Sequence, residues 1–404
     1  MSREEQSGVE TPAEGTGRVG AGGDGGPADG GAATGITGAG TGTDAAIAEG
    51  GGGTAGAETA TATVEAPGTA PDGTKAPLLE VRNLVTKYAI HRGLVGTIRR
   101  KPQQWVSAVD GVSFTLDRGE MVALVGESGC GKTSTAQTML RMVDAVSGSI
   151  LVNGQDITTL EHKEMRPLRR QIQMIYQDPY ESLDPRFRVG QTIEEPMLIH
   201  GVGKDDNERH EIIVRALLRA ELTPPELYID RYPHELSGGQ RQRAAIAASL
   251  VLDPELLVAD EPVSMLDVSV RAGILTLLDG LRRTGKMGIV MITHDLSTAA
   301  HFADRIAVMY LGRIVEQGPA KQVVRNPQHP YTKALLSVVP KRDPRDRTVP
   351  QILQGETPNP INVPPGCRFH PRCPVAEPRC RTIDPELHVV AAAEPEHEAA
   401  CILV

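Results

Sequence analysis

"MVALVGESGCGKT", residues 121–133, is the stretch whose reading decides the fold. Its first five residues are apolar without a break, as in a short strand buried on both faces of a parallel sheet. The run enters a loop matching G-x-x-x-x-G-K-[ST] from Gly126 to Thr133, and a helix is expected to follow. Phosphate chemistry needs this spacing. Glycines let backbone N–H groups curl around an anion, and the helix N-terminus adds its positive end. Gly126, Ser128, Gly129, Cys130, Gly131 and Ser134 form the cradle, with Cys130 contributing backbone rather than thiol chemistry. Lys132 is placed to reach the terminal phosphates of a nucleotide, and Thr133 to put its hydroxyl on Mg²⁺.

Three more apolar runs end on polar residues. "IQMIY" (172–176) leads to Gln177, "ELLVA" (255–259) to Asp260 and Glu261, and "GIVMIT" (288–293) to His294. In open α/β sheets ligands sit outside the carboxyl ends of the strands, so these four strand ends are expected to converge. Asp260 then suits Mg²⁺, Glu261 suits a general base for an attacking water, and His294 suits a terminal-phosphate contact. Upstream, "LLEVRNLVTKY" (78–88) and "VDGVSFTLDRGE" (109–120) alternate like half-buried strands, flanking a basic, turn-rich insertion read as a solvated loop. Residues 197–250 read mostly as helix.

A second anion-binding device appears in "LSGGQRQRAAIAASL" (236–250): Ser237 as helix N-cap, then Gly238, Gly239 and Gln240 opening a helix. One nucleotide does not need two such devices in one chain.

With these motifs in order, the chain resembles the nucleotide-binding subunits of ABC transporters. Walker A is Gly126–Thr133, the Q-loop residue is Gln177, the signature is "LSGGQ", and Walker B is "LLVAD" followed by Glu261. The D-loop is "SMLD" (264–267) with Asp267, and the switch histidine is His294. Met265 stands where the family usually has alanine, from which a packing change is expected.

The resemblance implies an α/β P-loop ATPase with a RecA-like parallel-sheet core, an antiparallel β subdomain and a helical signature subdomain. It implies catalytic roles for Glu261, His294 and Lys132, Mg²⁺ held through Thr133, Gln177 and Asp260, and Tyr88 stacked on adenine. It also implies a head-to-tail dimer with an identical or paralogous subunit, in which Ser237, Gly238, Gly239 and Gln240 complete the partner's ATP site.

A narrower resemblance lies in "QMIYQDPYESLDPRFRVGQTIEEP" (173–196), "NPQHPYTKALLSVVP" (326–340) and the cysteine-rich end. These look like the dipeptide/oligopeptide permease ATPases. The implied function is ATP-driven import of peptides with two transmembrane permease subunits and an extracellular binding protein, at the cytoplasmic face of the membrane. Related importers carry nickel or oligosaccharides, and a non-transport ABC ATPase is the remaining alternative.

Four of the five cysteines, Cys367, Cys373, Cys380 and Cys401, fall in the last 38 residues. Four thiolates suit Zn²⁺ or an iron–sulfur cluster, and the spacing matches neither the short zinc pattern nor the ferredoxin runs. The permease resemblance implies a [4Fe–4S] cluster, with zinc as the alternative and free thiols as the third reading.

Composition sets the outer limits. The first 75 residues hold 21 of the 43 glycines, 15 alanines, and 11 acidic against 3 basic residues. Such a segment cannot bury enough apolar surface to offset its ordering entropy, so it reads as a disordered acidic tail. The other residues carry 39 Lys+Arg against 40 Asp+Glu, which argues against nucleic acid as a partner. The N-terminus lacks the features of a signal peptide, and no run of about 18 apolar residues occurs. The expected organisation is therefore a tail (1–75), a nucleotide-binding domain (76–325, with helices at about 178–245) and a small Cys-rich domain (326–404).

Overall fold

A computed structural model describes residues 76–90, 103–284, 286–339, 350–390 and 396–404, without the side chains of residues 180 and 181. All fall in one compact unit, Val64–Val404. The expected tail and most of the basic insertion lie outside the described residues.

The chain enters through β1 (Leu79–Ala89) and β2 (Trp105–Leu116), crosses to β3 (Met121–Val125), then returns through β4 (Ser147–Val152) and β5 (Gln155–Asp156). Apart from β3, these strands form an antiparallel sheet in the order β2-β1-β4-β5. β2 starts at Trp105, four residues before the alternation suggests, because Trp105 pairs with Ala89 at the far end of β1.

β3 belongs to the main sheet, with β6 (Ile172–Ile175), β7 (Leu256–Asp260), β8 (Gly288–Thr293), β9 (Arg305–Tyr310) and β10 (Arg313–Pro319). Two short strands from the end of the chain, β11 (His388–Val389) and β12 (Glu398–Ala399), complete it, in the order β11-β12-β10-β9-β3-β8-β7-β6. The five strands β9, β3, β8, β7 and β6 are parallel neighbours.

Alternation explains the apolar runs. Met121, Ala123 and Val125 point into one core while Val122 and Leu124 point into the other. β7 and β8 divide the same way. The second core lies between the main sheet and the antiparallel one, where Leu79, Val81, Phe114 and Ile150 meet Val122, Val258 and Val290. The first is covered by helices. Each fully buried Val, Leu or Ile contributes roughly 1.5–3 kcal/mol, so both faces demand apolar residues. β6 departs from expectation. It is the edge strand, and its Gln173 and Met174 are only half-buried.

Helices α1 (Lys132–Met139) and α2 (His162–Leu168) precede a helical region of α3 (Pro179–Ser182), α4 (Val189–His200), α5 (Asp206–Arg219) and α6 (Gly238–Leu250). Asp205 caps α5 by accepting from the Glu208 N–H, and Ser237 caps α6. The sheet half continues with α7 (Val268–Arg283), α8 (Leu296–Phe302), α9 (Ala320–Arg325) and α10 (Pro330–Ser337).

The cysteine-rich segment is joined to this body. β12 pairs with β10, and buried His397 meets Glu316 at 2.8 Å. Tyr331 and Phe369 sit in the same core as the sheet, with ring centroids 4.8 and 5.2 Å from that of Tyr310.

Candidate active site

The phosphate loop runs from the end of β3 to the start of α1. Gly131 has φ +106°, where side chains are disfavoured, and a Cβ there would lie 2.1 Å from the Ala108 carbonyl oxygen. A Cβ on Gly126 would come within 2.3 Å of the Met309 carbonyl oxygen. The loop is thus pressed against β2 and β9, and only glycine fits. Lys132 is buried, its Nζ donating to the carbonyls of Gly126 (2.8 Å) and Glu127 (3.0 Å). Cys130 lies buried beneath the loop, and burial pushes its thiol above the ordinary range.

The neighbouring strand ends bring the other groups in. Asp260 is 4% exposed at the end of β7. Burial raises its pKa, opposed by a hydrogen bond with Thr133, while Glu261 beside it raises it further. Its Oδ1 has no hydrogen-bond partner among the described residues. Glu261 follows in a left-handed conformation, φ +43°. That is uncommon for a non-glycine residue and is found where function holds strain. Its N–H donates to the Ile292 carbonyl (3.0 Å), which ties the turn to β8. Gln177 Nε2 donates to Glu261 Oε2 at 3.2 Å, and His294 Nδ1 lies 3.3 Å from the same oxygen. The four strand ends converge as expected.

A cleft of about 660 Å³ opens over this arrangement, lined by Tyr88, Ser128, Gly129, Gly131, Lys132, Thr133, Ser134, Gln177, Glu261 and His294. Gly126, Cys130 and Asp260 lie beneath its surface. The cleft also includes Val106, Ala108, Glu127 and Pro360, which sequence reasoning missed. Val106 was findable, since it is paired across the hairpin with Tyr88. Nothing in the spacing brings Pro360 from over 200 residues away.

Ser237, Gly238, Gly239 and Gln240 do not line this cleft. Ser237 Oγ accepts from the Gln240 N–H (3.3 Å), and Gln240 Oε1 accepts from the Ser237 N–H (2.9 Å). A Cβ on Gly239 would press on Val270 of α7 at 2.5 Å, and one on Gly238 would touch Leu266 at 3.6 Å. The signature therefore abuts the D-loop and the start of α7, whose N-cap is Asp267. Met265 is 61% exposed.

The four clustered cysteines, with His329, Phe369 and His370, line one small cavity. Burial pushes Cys367 up to about 11, and raises Cys373 and Cys401 as well. Among the described residues, no group of three or more His, Cys, Asp or Glu is arranged to hold a metal ion.

Comparison with known proteins agrees with this geometry. Residues 109–264 match the family model "ABC transporter", and residues 315–380 match "Oligopeptide/dipeptide transporter, C-terminal region". The oligopeptide transport ATP-binding protein AppF of Bacillus subtilis is 44% identical over 329 residues, covering 81% of this chain and 97% of the relative.

This chain belongs to the ABC transporter ATPase family.

The di/tripeptide transport ATP-binding protein DppF of Pseudomonas aeruginosa is 43% identical over 325 residues, covering 80% of the chain and 97% of DppF. A dimeric ATP-binding cassette, solved in a post-hydrolysis state bound to ADP and Pi, superposes with TM-score 0.52 at 25% identity. It covers 60% of this chain and 99% of that one. The ABC ATPase fold is thus the one expected, with a mixed sheet, a phosphate loop and a helical region. No described helix is long and apolar enough to cross a membrane.

Proposed function

We propose that this ABC ATPase energises a membrane importer of dipeptides or oligopeptides. The observation that carries the substrate class is the match of residues 315–380 to the oligopeptide/dipeptide transporter C-terminal region. The names of the full-length relatives support it. ATP occupies the cleft with its phosphates on the Walker A loop and its base toward Tyr88. Lys132 leaves the Gly126 and Glu127 carbonyls for the phosphates. Thr133 and the partnerless Oδ1 of Asp260 fit Mg²⁺, with Gln177 nearby, and that ion would balance phosphate charge. Glu261 orients and deprotonates the attacking water, and His294 contacts the terminal phosphate.

The signature is capped and packed away from the cleft of its own chain. This supports its use on a partner's ATP in a head-to-tail dimer of identical or paralogous subunits. Exposed Phe187, Leu198, Ile199, Leu218 and Leu227 on the helical region suit docking to two permease subunits at the cytoplasmic face of the membrane. An extracellular binding protein would deliver the substrate. The test is reconstitution with the permeases in lipid vesicles and a series of short peptides. Peptide-dependent acceleration of ATP hydrolysis is expected. Hydrolysis indifferent to every peptide, with accumulation driven for a metal ion or sugar, overturns the assignment.

The four cysteines are proposed to hold a [4Fe–4S] cluster. All four cysteines line one small cavity, and an all-thiolate donor set is the one such a cluster takes. Burial raises Cys367, Cys373 and Cys401 above the ordinary thiol range, so loading releases protons and is favoured as pH rises. Anaerobically purified protein should contain iron and absorb broadly in the violet-blue, and Cys380→Ser should lose most of both. Wild-type protein with neither iron nor that band removes the proposal.

A further inference from the structure

We propose that Arg372, in the cysteine-rich segment, is a positioning residue for the phosphate loop and sets its affinity for ATP. Glu127 follows Gly126 in Walker A, at a position the motif leaves open. The C-terminal region nevertheless grips it on both its backbone and its side chain. The Glu127 N–H donates to Tyr331 Oη on α10 at 2.9 Å. Arg372 forks its carboxylate, Nη1 to Oε2 at 2.8 Å and Nη2 to Oε1 at 3.2 Å. Thr357 Oγ1 donates to Oε2 at 2.8 Å and accepts from Arg372 Nη1 at 3.3 Å.

An ordinary surface ion pair would carry no such weight. This one differs in two ways. The Arg372 side chain is only 8% exposed, and its guanidinium lies over the Tyr310 ring, 5.9 Å from the centroid. Its fork is bidentate, which fixes geometry as well as charge. Burial alone would raise the Glu127 pKa, but the hydrogen bonds from Arg372 and Thr357 bring it below the usual value, so the carboxylate stays charged.

The consequence falls on Lys132. Its amine rests on the carbonyls of Gly126 and of Glu127 itself. Holding Glu127 from both sides fixes the path of the loop whose N–H groups must meet the phosphates. Release of the clamp lets that path vary, and ATP binding then bears the cost of ordering it. Arg372 also immediately precedes Cys373, so the state of the cysteine cavity is one residue from the ATP site.

The inference rests on the reading that ATP binds at Walker A. Wild-type protein that binds no nucleotide overturns that reading first, before any variant is made. The experiment titrates full-length protein with a fluorescent ATP analogue and follows steady-state hydrolysis. Arg372→Met and Glu127→Gln should each weaken nucleotide binding about tenfold, within the range of typical coupling energies. The double variant should be no worse than either single one, because both remove the same contact. KM should rise while kcat at saturating ATP holds. Arg372→Lys, which keeps charge but loses the fork, should fall between. If Arg372→Met fails to fold, Thr357→Val makes the same measurement with an isosteric side chain. Folded variants with wild-type affinity, or losses that simply add in the double variant, overturn the proposal.

Discussion

Glu261→Gln should bind ATP as the wild type does but release phosphate about 10²–10⁴-fold more slowly. The substitution conserves shape. Glu261 is held in its left-handed turn by the backbone bond to Ile292, which a side-chain change leaves intact. A glutamine still offers a carbonyl oxygen to the Gln177 amide, now 3.2 Å from the carboxylate. What is lost is the negative charge beside His294, and with it the basicity. The ATP-loaded form should accumulate as a closed dimer, visible by size-exclusion chromatography with ATP and Mg²⁺. Phosphate release at the wild-type rate would remove Glu261 as the base and leave it a water-orienting or structural role.

Gly131→Ala should disable the phosphate loop, at a cost of roughly 3 kcal/mol or more from combined backbone strain and overpacking. The new methyl would lie 2.1 Å from the Ala108 carbonyl oxygen, at φ +106°. The methyl cannot turn away, and the opposing atom is backbone of β2. Nucleotide binding should vanish, with a clear fall in melting temperature. Gly129→Ala is the control. Its φ is +77°, but nothing among the described residues lies within 4 Å of its Cβ, so only conformational strain is added. Equal effects of the two changes would mean that contact with β2 does not shape the loop.

Local pattern carried much of the reading. Continuous apolar runs marked β3, β7 and β8 because each lies between parallel neighbours, with alternate residues in two cores. The same rule overstated β6, because an edge strand with half-buried faces and a central strand can share a composition. The start of β2 at Trp105 was missed since Trp105, Val106 and Ser107 pair with β1 without entering a core. Among the cleft residues, those on a phosphate loop or a strand end were legible, for their chemistry is encoded within a few residues of backbone.

By itself, the sequence determined the phosphate loop, the polar strand ends, the capped signature helix and the cluster of four cysteines. Each is specified by short-range spacing. Tertiary structure decided which distant groups stand around them. Pro360 enters the wall of the nucleotide cleft, β12 completes the core sheet beside β10, and Arg372, Thr357 and Tyr331 grip Glu127. These contacts join residues some 80 to 250 positions apart. No periodicity reports them, because they exist only once burial of Tyr331 and Phe369 against Tyr310 has folded the C-terminal segment onto the sheet.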